Sequence, residues 1–185
     1  MNDALLTRIA EALERLAPPT ASCADLAAAP AYIWDGHAVH PVQDFAPVDY
    51  DLLTGIDAQK EALLANSARL ADGYAAHDVL LWGARGTGKS AAVAAVVGKL
   101  QQGGRDIALI QCAIDQLASL PSLFALLRGS DRPFVLFLDD LGFDEQGAGD
   151  ARALRSLLQG GTAARPANVR LYVTSNRRHI VPRHL

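Results

Sequence analysis

Lysine is almost missing from this chain: of 17 basic residues in 185, only Lys60, Lys89 and Lys99 are lysines. A lysine standing inside a motif is then no background residue. Cysteine is as scarce, and Cys23 and Cys112 show no redox or metal-ligand spacing, which speaks against a disulfide framework or a cysteine zinc site and predicts two reduced thiols. No uninterrupted apolar run approaches the roughly 20 residues of a membrane span. The first residues carry acids in an amphipathic pattern, not a basic stretch followed by an apolar core. The expectation is a soluble, cytoplasmic protein with no membrane partner. Charge of one sign is also lacking: the net charge of −3 and pI near 5.9 give no general attraction to nucleic acid, so any such contact needs a local patch. His37 and His40 have no third or fourth ligand at a suitable spacing, which argues against a metal site there. Internal repeats and low-complexity tracts are missing too, apart from a bias to alanine.

What is present is a core and a loop. Half of the residues are apolar, enough for one good core plus an accessory segment. The run Gly83-Ala84-Arg85-Gly86-Thr87-Gly88-Lys89-Ser90 fits G-x-x-x-x-G-K-[ST], a phosphate-binding P-loop. Its glycines allow backbone torsions closed to other residues, so successive N–H groups can turn inward as an anion nest at a helix N-terminus. Lys89 is expected to reach the β- and γ-phosphates and Ser90 to hold Mg²⁺. The surroundings agree: Val79–Trp82 reads as a short buried strand entering the loop, and Ala91–Leu100 as the helix leaving it.

Along the chain, Asn2 or Asp3 caps a predicted first helix with Leu5, Leu6, Ile9, Leu13 and Leu16 on one face, stopped by Pro18-Pro19. That face needs either this chain's own core or a neighbouring subunit. Ala31–Trp34, the turn Asp35-Gly36 and Ala38–Val42 predict a hairpin, and a helix is expected over Asp57–Ala71. From Val79 onward strands and helices alternate. Strands are predicted at Ile107–Gln111, Phe134–Leu138 and Val169–Thr174, and helices at Leu117–Leu127, interrupted at Pro121, and Asp150–Gln159. Such alternation implies an α/β fold with a parallel sheet and right-handed crossovers, whose ligands bind beyond the carboxyl ends of the strands. The expected division is an accessory helical and hairpin segment over 1–49 and a nucleotide-binding core over 50–185.

Two further strand ends carry chemistry. Phe134–Leu138 is wholly apolar and ends in Asp139-Asp140, the Walker B form, and successive strand residues point to opposite sides. Asp139 is expected near Mg²⁺; Asp140, where glutamate is more usual, is expected to orient or deprotonate the attacking water. Its shorter side chain shifts the carboxylate by about one methylene, roughly 1.5 Å, and could slow turnover. Leu171–Thr174 ends in Ser175-Asn176, whose amide could bond the γ-phosphate or the water. Arg177, Arg178, His179, Arg183 and His184 follow, read either as a solvated basic turn or as contacts to phosphate, an acidic neighbour or nucleic acid.

Walker A, Walker B and a strand-terminal asparagine, preceded by Leu53-Thr54-Gly55-Ile56-Asp57-Ala58-Gln59-Lys60, together resemble an AAA+ ATPase, a three-layer P-loop fold. Within that superfamily, the P-loop run, Phe137–Leu141, Leu158–Gly161, Arg165–Val169 and Thr174–His179 are similar to a bacterial family catalogued as domain of unknown function eight-fifteen. The resemblance implies that Gly55 and Ile56 lie near the adenine, that the nucleotide is ATP with Mg²⁺, and that the complete protein is a homo-oligomer. Family members have Ser and Glu more often where this chain has Gly142 and Asp144, and they continue past Leu185, so the resemblance also implies that a helical lid domain is absent here. The leading expectation is an ATP-binding AAA+ protein whose complete form hydrolyses ATP to ADP and phosphate to move a macromolecular partner. The alternative is a nucleotide-gated loader with little hydrolysis, for which Arg177, Arg178 and Arg183 would bind single-stranded DNA. A small-molecule P-loop kinase is a third class, disfavoured because no arginine-rich lid or acceptor site is evident.

Overall fold

A computed structural model describes residues 25–141 and 165–176. The predicted helices at 3–17 and 150–159, Cys23, Gly142, Asp144 and the basic residues after Asn176 lie outside the described residues.

Within these residues, six strands form one sheet in the order β2-β1-β4-β5-β6-β3. They are β1 (Ala31–Trp34), β2 (Val39–Val42), β3 (Val79–Trp82), β4 (Ala108–Cys112), β5 (Phe134–Leu138) and β6 (Val169–Ser175). Among the described residues, only the β1–β2 pair is antiparallel; β1 with β4, β4 with β5, β5 with β6, and β6 with β3 are all parallel. The hairpin is thus hydrogen-bonded into the same sheet as the P-loop strand, with Trp34 opposite Cys112. Parallel strands covered on both faces are apolar throughout, not alternating, and every residue of β5 is buried.

Helix α1 spans Asp57–Ala71, as the periodicity predicts. Helix α2 spans Lys89–Gln102, two residues earlier than the apolar onset at Ala91, because Gly88 at φ +80° caps it and places Lys89 and Ser90 in its first turn. Strand β4 runs one residue later than expected, and β6 extends to Ser175. The segment around Pro121 is not an interrupted helix. A 3-10 turn over Ile114–Ser119 hands over to α3 (Leu120–Leu127), where proline sits in the first turn and sacrifices no intrahelical hydrogen bond.

The two faces of the sheet have separate cores. One packs Tyr32, Trp34, Ile110, Phe134, Leu136 and Leu138 against Leu120, Leu123, Phe124 and Leu127 of α3. The other packs Leu109, Val135, Phe137 and Tyr172 against Leu63 and Leu70 of α1 and Val93, Val96, Val97 and Leu100 of α2. Each such side chain contributes about 1.5–3 kcal/mol when fully buried. The second face also accepts polar groups: the Tyr172 hydroxyl lies 2.7 Å from Ser67 Oγ and 2.9 Å from Asn66 Nδ2, pinning α1 to β6. Gly98 makes room on α2 for the incoming segment, since a Cβ there would lie 2.6 Å from Pro47 Cγ.

Candidate functional site

The C-terminal ends of β3, β5 and β6 converge on one cavity of about 390 Å³, lined by Arg85, Gly86, Thr87, Gly88, Lys89, Ser90 and Ala91 together with Asp139, Asp140, Thr174 and Asn176. That size is within the range of small-ligand sites. Gly86 and Gly88 have φ of +81° and +80°, a left-handed backbone where L side chains are strained, even though a Cβ on Gly86 would meet open space. Their torsions make the loop, not a steric crowd. The crest, Ala84 to Thr87, is solvent-exposed, and Thr87 Oγ1 donates to Ala84 O at 2.9 Å.

Lys89 folds back over this loop. Its ammonium donates to Gly83 O at 2.9 Å, Ala84 O at 2.8 Å and Asn176 Oδ1 at 3.1 Å. A helix N-terminus and an ammonium at the same place hold positive charge beside exposed backbone amides, the electrostatics of a phosphate site. Ser90 Oγ donates to Asp139 Oδ1 at 2.6 Å, so a hydroxyl and a carboxylate from two different elements stand side by side. Such hard oxygen donors suit a Mg²⁺-type cation, which commonly takes one or two protein ligands plus substrate phosphate. Lysine, serine and carboxylates therefore fit a triphosphate and its cation on chemical grounds.

Asp140 departs from its strand. Its φ of +56° makes it the one non-glycine residue in the left-handed region among the described residues. Only glycine, asparagine and aspartate visit that region routinely, because a short polar side chain compensates locally. Such a conformation costs about 1–3 kcal/mol and persists only where neighbours impose it. Here Asp140 N donates to Thr174 Oγ1 at 2.7 Å, and Asn176 Nδ2 donates to the Asp140 carboxylate. The backbone thus gives a reason for aspartate at a place where sequence pattern leads one to expect glutamate. Asn176 bridges the site, accepting from Lys89 and donating to Asp140.

The strip ahead of α1 reaches the loop from the other side. Ile56 caps α1, and its Cδ1 would stand 3.9 Å from a Cβ on Gly88; Gly55, at φ +79°, makes the bend before it. The strip is fastened by Lys60, whose ammonium donates to Leu53 O at 2.8 Å, pairs with Asp57 at 3.1 Å and lies 4.9 Å from the Tyr50 ring centroid. Lys99 approaches the same ring at 5.6 Å and pairs with Asp51 at 3.2 Å. Two of the three lysines thus hold Tyr50, and the third is in the P-loop. Sequence reasoning assigned no role to Tyr50, Lys60 or Lys99, whose partners are distant in sequence. It also passed over Thr174, read only as part of the polar end of β6.

The chain belongs to the family described as "Protein of unknown function (DUF815)", whose model matches residues 27–185. Among solved structures it is similar to Aeropyrum pernix ORC1 in complex with DNA, with 16% identity and a TM-score of 0.53 over 74% of this chain and 45% of that one. It is also similar to the Thermotoga maritima RuvB Holliday junction branch migration motor, at 20% identity and a TM-score of 0.46 over 75% of this chain and 44% of that one. For AMPPCP-bound DnaA from Aquifex aeolicus the identity is 17% and the TM-score 0.39, over 67% of this chain and 39% of that one. The fold is thus that of an AAA+ P-loop protein, α/β with a mainly parallel sheet. The chain spans less than half the length of these structures. No curated protein matches it. Among the described residues, no helix is long and apolar enough to cross a membrane.

Proposed function

We propose that this chain binds ATP with Mg²⁺ and that the complete protein hydrolyses it to ADP and phosphate, using the cycle to remodel or move a macromolecular partner as a homo-oligomer. One observation carries the reading: Lys89, Ser90, Asp139, Asp140 and Asn176, from three elements, meet around one cavity, Lys89 bonded to Asn176 and Asn176 to Asp140, Ser90 to Asp139, with Thr174 joining the two acids. In this reading, residues 83–90 supply amides to the phosphates, and Lys89 exchanges its carbonyl contacts for phosphate oxygens. Ser90 and Asp139 hold the cation, which when bound neutralises charge developing on the phosphates. Asp140 orients the lytic water and takes its proton, while Asn176 senses the γ-phosphate. Gly55 and Ile56 border the adenine.

Lys89→Ala tests the binding claim directly. Charge-assisted hydrogen bonds contribute about 1.5–3 kcal/mol each, so the variant should bind ATP at least about tenfold more weakly by calorimetry; unchanged affinity removes the proposal. Turnover is read separately, across a range of protein concentrations, with Asp140→Asn as control. Activity per subunit that rises with concentration and is lost in the control supports a site completed between subunits. The hydrogen bond from Asn176 to Asp140 favours a second reading, a nucleotide-gated binding module with little hydrolysis, because it engages one oxygen of the carboxylate that would take the proton and makes it a weaker base. Tight ATP binding with no turnover at any concentration would select it.

A further inference from the structure

We infer that Thr174 is a positioning residue for the Mg²⁺–nucleotide site, acting through Asp139 and Asp140; the inference rests on the reading above. Thr174 is 1% exposed and sits in β6, one residue before the strand's end. Its single hydroxyl proton goes to Asp139 Oδ1 at 2.5 Å, while Thr174 Oγ1 itself accepts the Asp140 N–H at 2.7 Å. One side chain thus addresses both acids. Asp139 Oδ1 is then held by two donors from different elements, Ser90 of α2 and Thr174 of β6, which restrains the rotation of the carboxylate. Asp140 has left the strand conformation, and the Thr174 hydroxyl meets the amide it turns aside.

The surrounding backbone makes this a fixed mount. Leu141 N donates to Thr174 O at 2.8 Å, and Ser175 Oγ donates to Leu141 O at 2.9 Å. These bonds tie the segment after β5 to the end of β6 whatever the side chain at 174 is. The β-branched threonine restricts χ1, so the hydroxyl direction follows from the strand. Removing the hydroxyl alone should leave the segment docked while freeing the Asp139 carboxylate to turn and the Asp140 amide to lose its partner. Partners of this kind, one step behind the ligating groups, commonly change metal affinity or activity by about 10–100-fold.

The test compares Thr174→Val, which keeps the shape and loses the hydroxyl, with Thr174→Ser, which keeps the hydroxyl. ATP affinity is measured by calorimetry on the full chain, with excess EDTA and across a Mg²⁺ titration, alongside thermal melting. Thr174→Val should match wild type in EDTA within about twofold and require about tenfold more Mg²⁺ for its gain in affinity, with Thr174→Ser restoring the wild-type response. The loss should vanish in an Asp139→Asn background, where the carboxylate that Thr174 orients is gone. A Thr174→Val response equal to wild type overturns the inference. So does a variant that loses affinity equally with and without Mg²⁺ while its melting point falls, since that is a packing defect. If instead Lys89→Ala binds ATP as well as wild type, it is the nucleotide-site reading that fails.

Discussion

The two ends of the sheet are built from different cations. At the amino-terminal ends of the strands, arginines clasp the backbone: Arg132 Nη1 donates to Leu26 O at 2.5 Å and Ala29 O at 2.8 Å, and its Nε pairs with Asp106 at 2.6 Å. Arg165 grips both oxygens of Asp78 at 2.5–2.6 Å, Asp78 accepts from Leu171 N at 2.9 Å, and Arg170 Nε reaches Ala76 O at 2.6 Å. Asn168 adds its amide, donating to Leu127 O, Ser130 O and Arg132 O. At the carboxyl ends the cation bonded into the site is Lys89, on the loop carbonyls of Gly83 and Ala84, beside torsions that strand geometry does not allow. A planar guanidinium with five donors suits fixed carbonyls and carboxylates, whereas a lysine point charge can leave its carbonyls for a phosphate. Arginine anchors one end of the sheet; at the other, Lys89 is the one lysine in the cavity lining, beside Arg85.

If the ends are independent, a break at the anchoring end must change stability and spare binding. Arg132→Met keeps much of the stem's packing and removes the fork. It leaves Leu26 O and Ala29 O without their donor and Asp106 without its ion pair, so we expect a loss of about 2–4 kcal/mol in denaturant unfolding. ATP affinity well below the melting temperature should stay within about twofold of wild type. A large drop in affinity in a folded Arg132→Met protein would show that the two ends are coupled through β5 and α3.

A smaller effect is expected at the other end, with the opposite sign. Asp140 has a left-handed backbone for the sake of its position, so Asp140→Gly should raise stability by up to about 1 kcal/mol, because glycine carries no penalty there. The exposed hydrogen bond lost to Asn176 offsets little of this. Asp140→Glu should lower stability by a similar amount. A denaturant midpoint that falls in Asp140→Gly would mean that Asp140 stabilises the fold and that its torsion is no concession to function.

Much of this was legible in the sequence because it is local. The P-loop, the apolar strands, the hairpin and α1 follow from spacing within ten or fifteen residues, and the sheet's mainly parallel character follows from their alternation. What escaped depends on pairs far apart in the chain. Thr174 is recognisable as a mount for Asp139 only once β5 and β6 are known to be neighbours, and Lys60 as a fastener only once Tyr50 folds back on α1. The left-handed torsion at Asp140 had no signal beyond aspartate standing where glutamate was expected. The Arg165–Val169 run was singled out by resemblance, with no physical role; the structure shows it anchoring the starts of β6 and β3.

Cys112 ends the strand next to β5, outside the cavity lining, and it gives the smallest expected effect. It ends β4 on the α3 side, 1% exposed, with Sγ donating to Ala113 O at 3.3 Å. Burial, with a smaller contribution from the negative charge of Asp115, pushes its thiol up to about 12 from an ordinary 9.0. A thiol raised this far is no nucleophile near neutral pH. Because the native state keeps this proton after the unfolded state has released it, the slope of stability with pH is negative between about 9 and 12. The contribution is fully present below pH 9 and is lost as pH rises through that window. The drop in denaturant midpoint between pH 8 and pH 10 should therefore be larger in wild type than in Cys112→Val, where the other alkaline groups remain. In a Cys23→Ser background the folded protein should also resist a thiol reagent at pH 8 and react once unfolded. Rapid labelling of the folded form would place Cys112 in an accessible, charged environment and extend the reactive end of the sheet across β4.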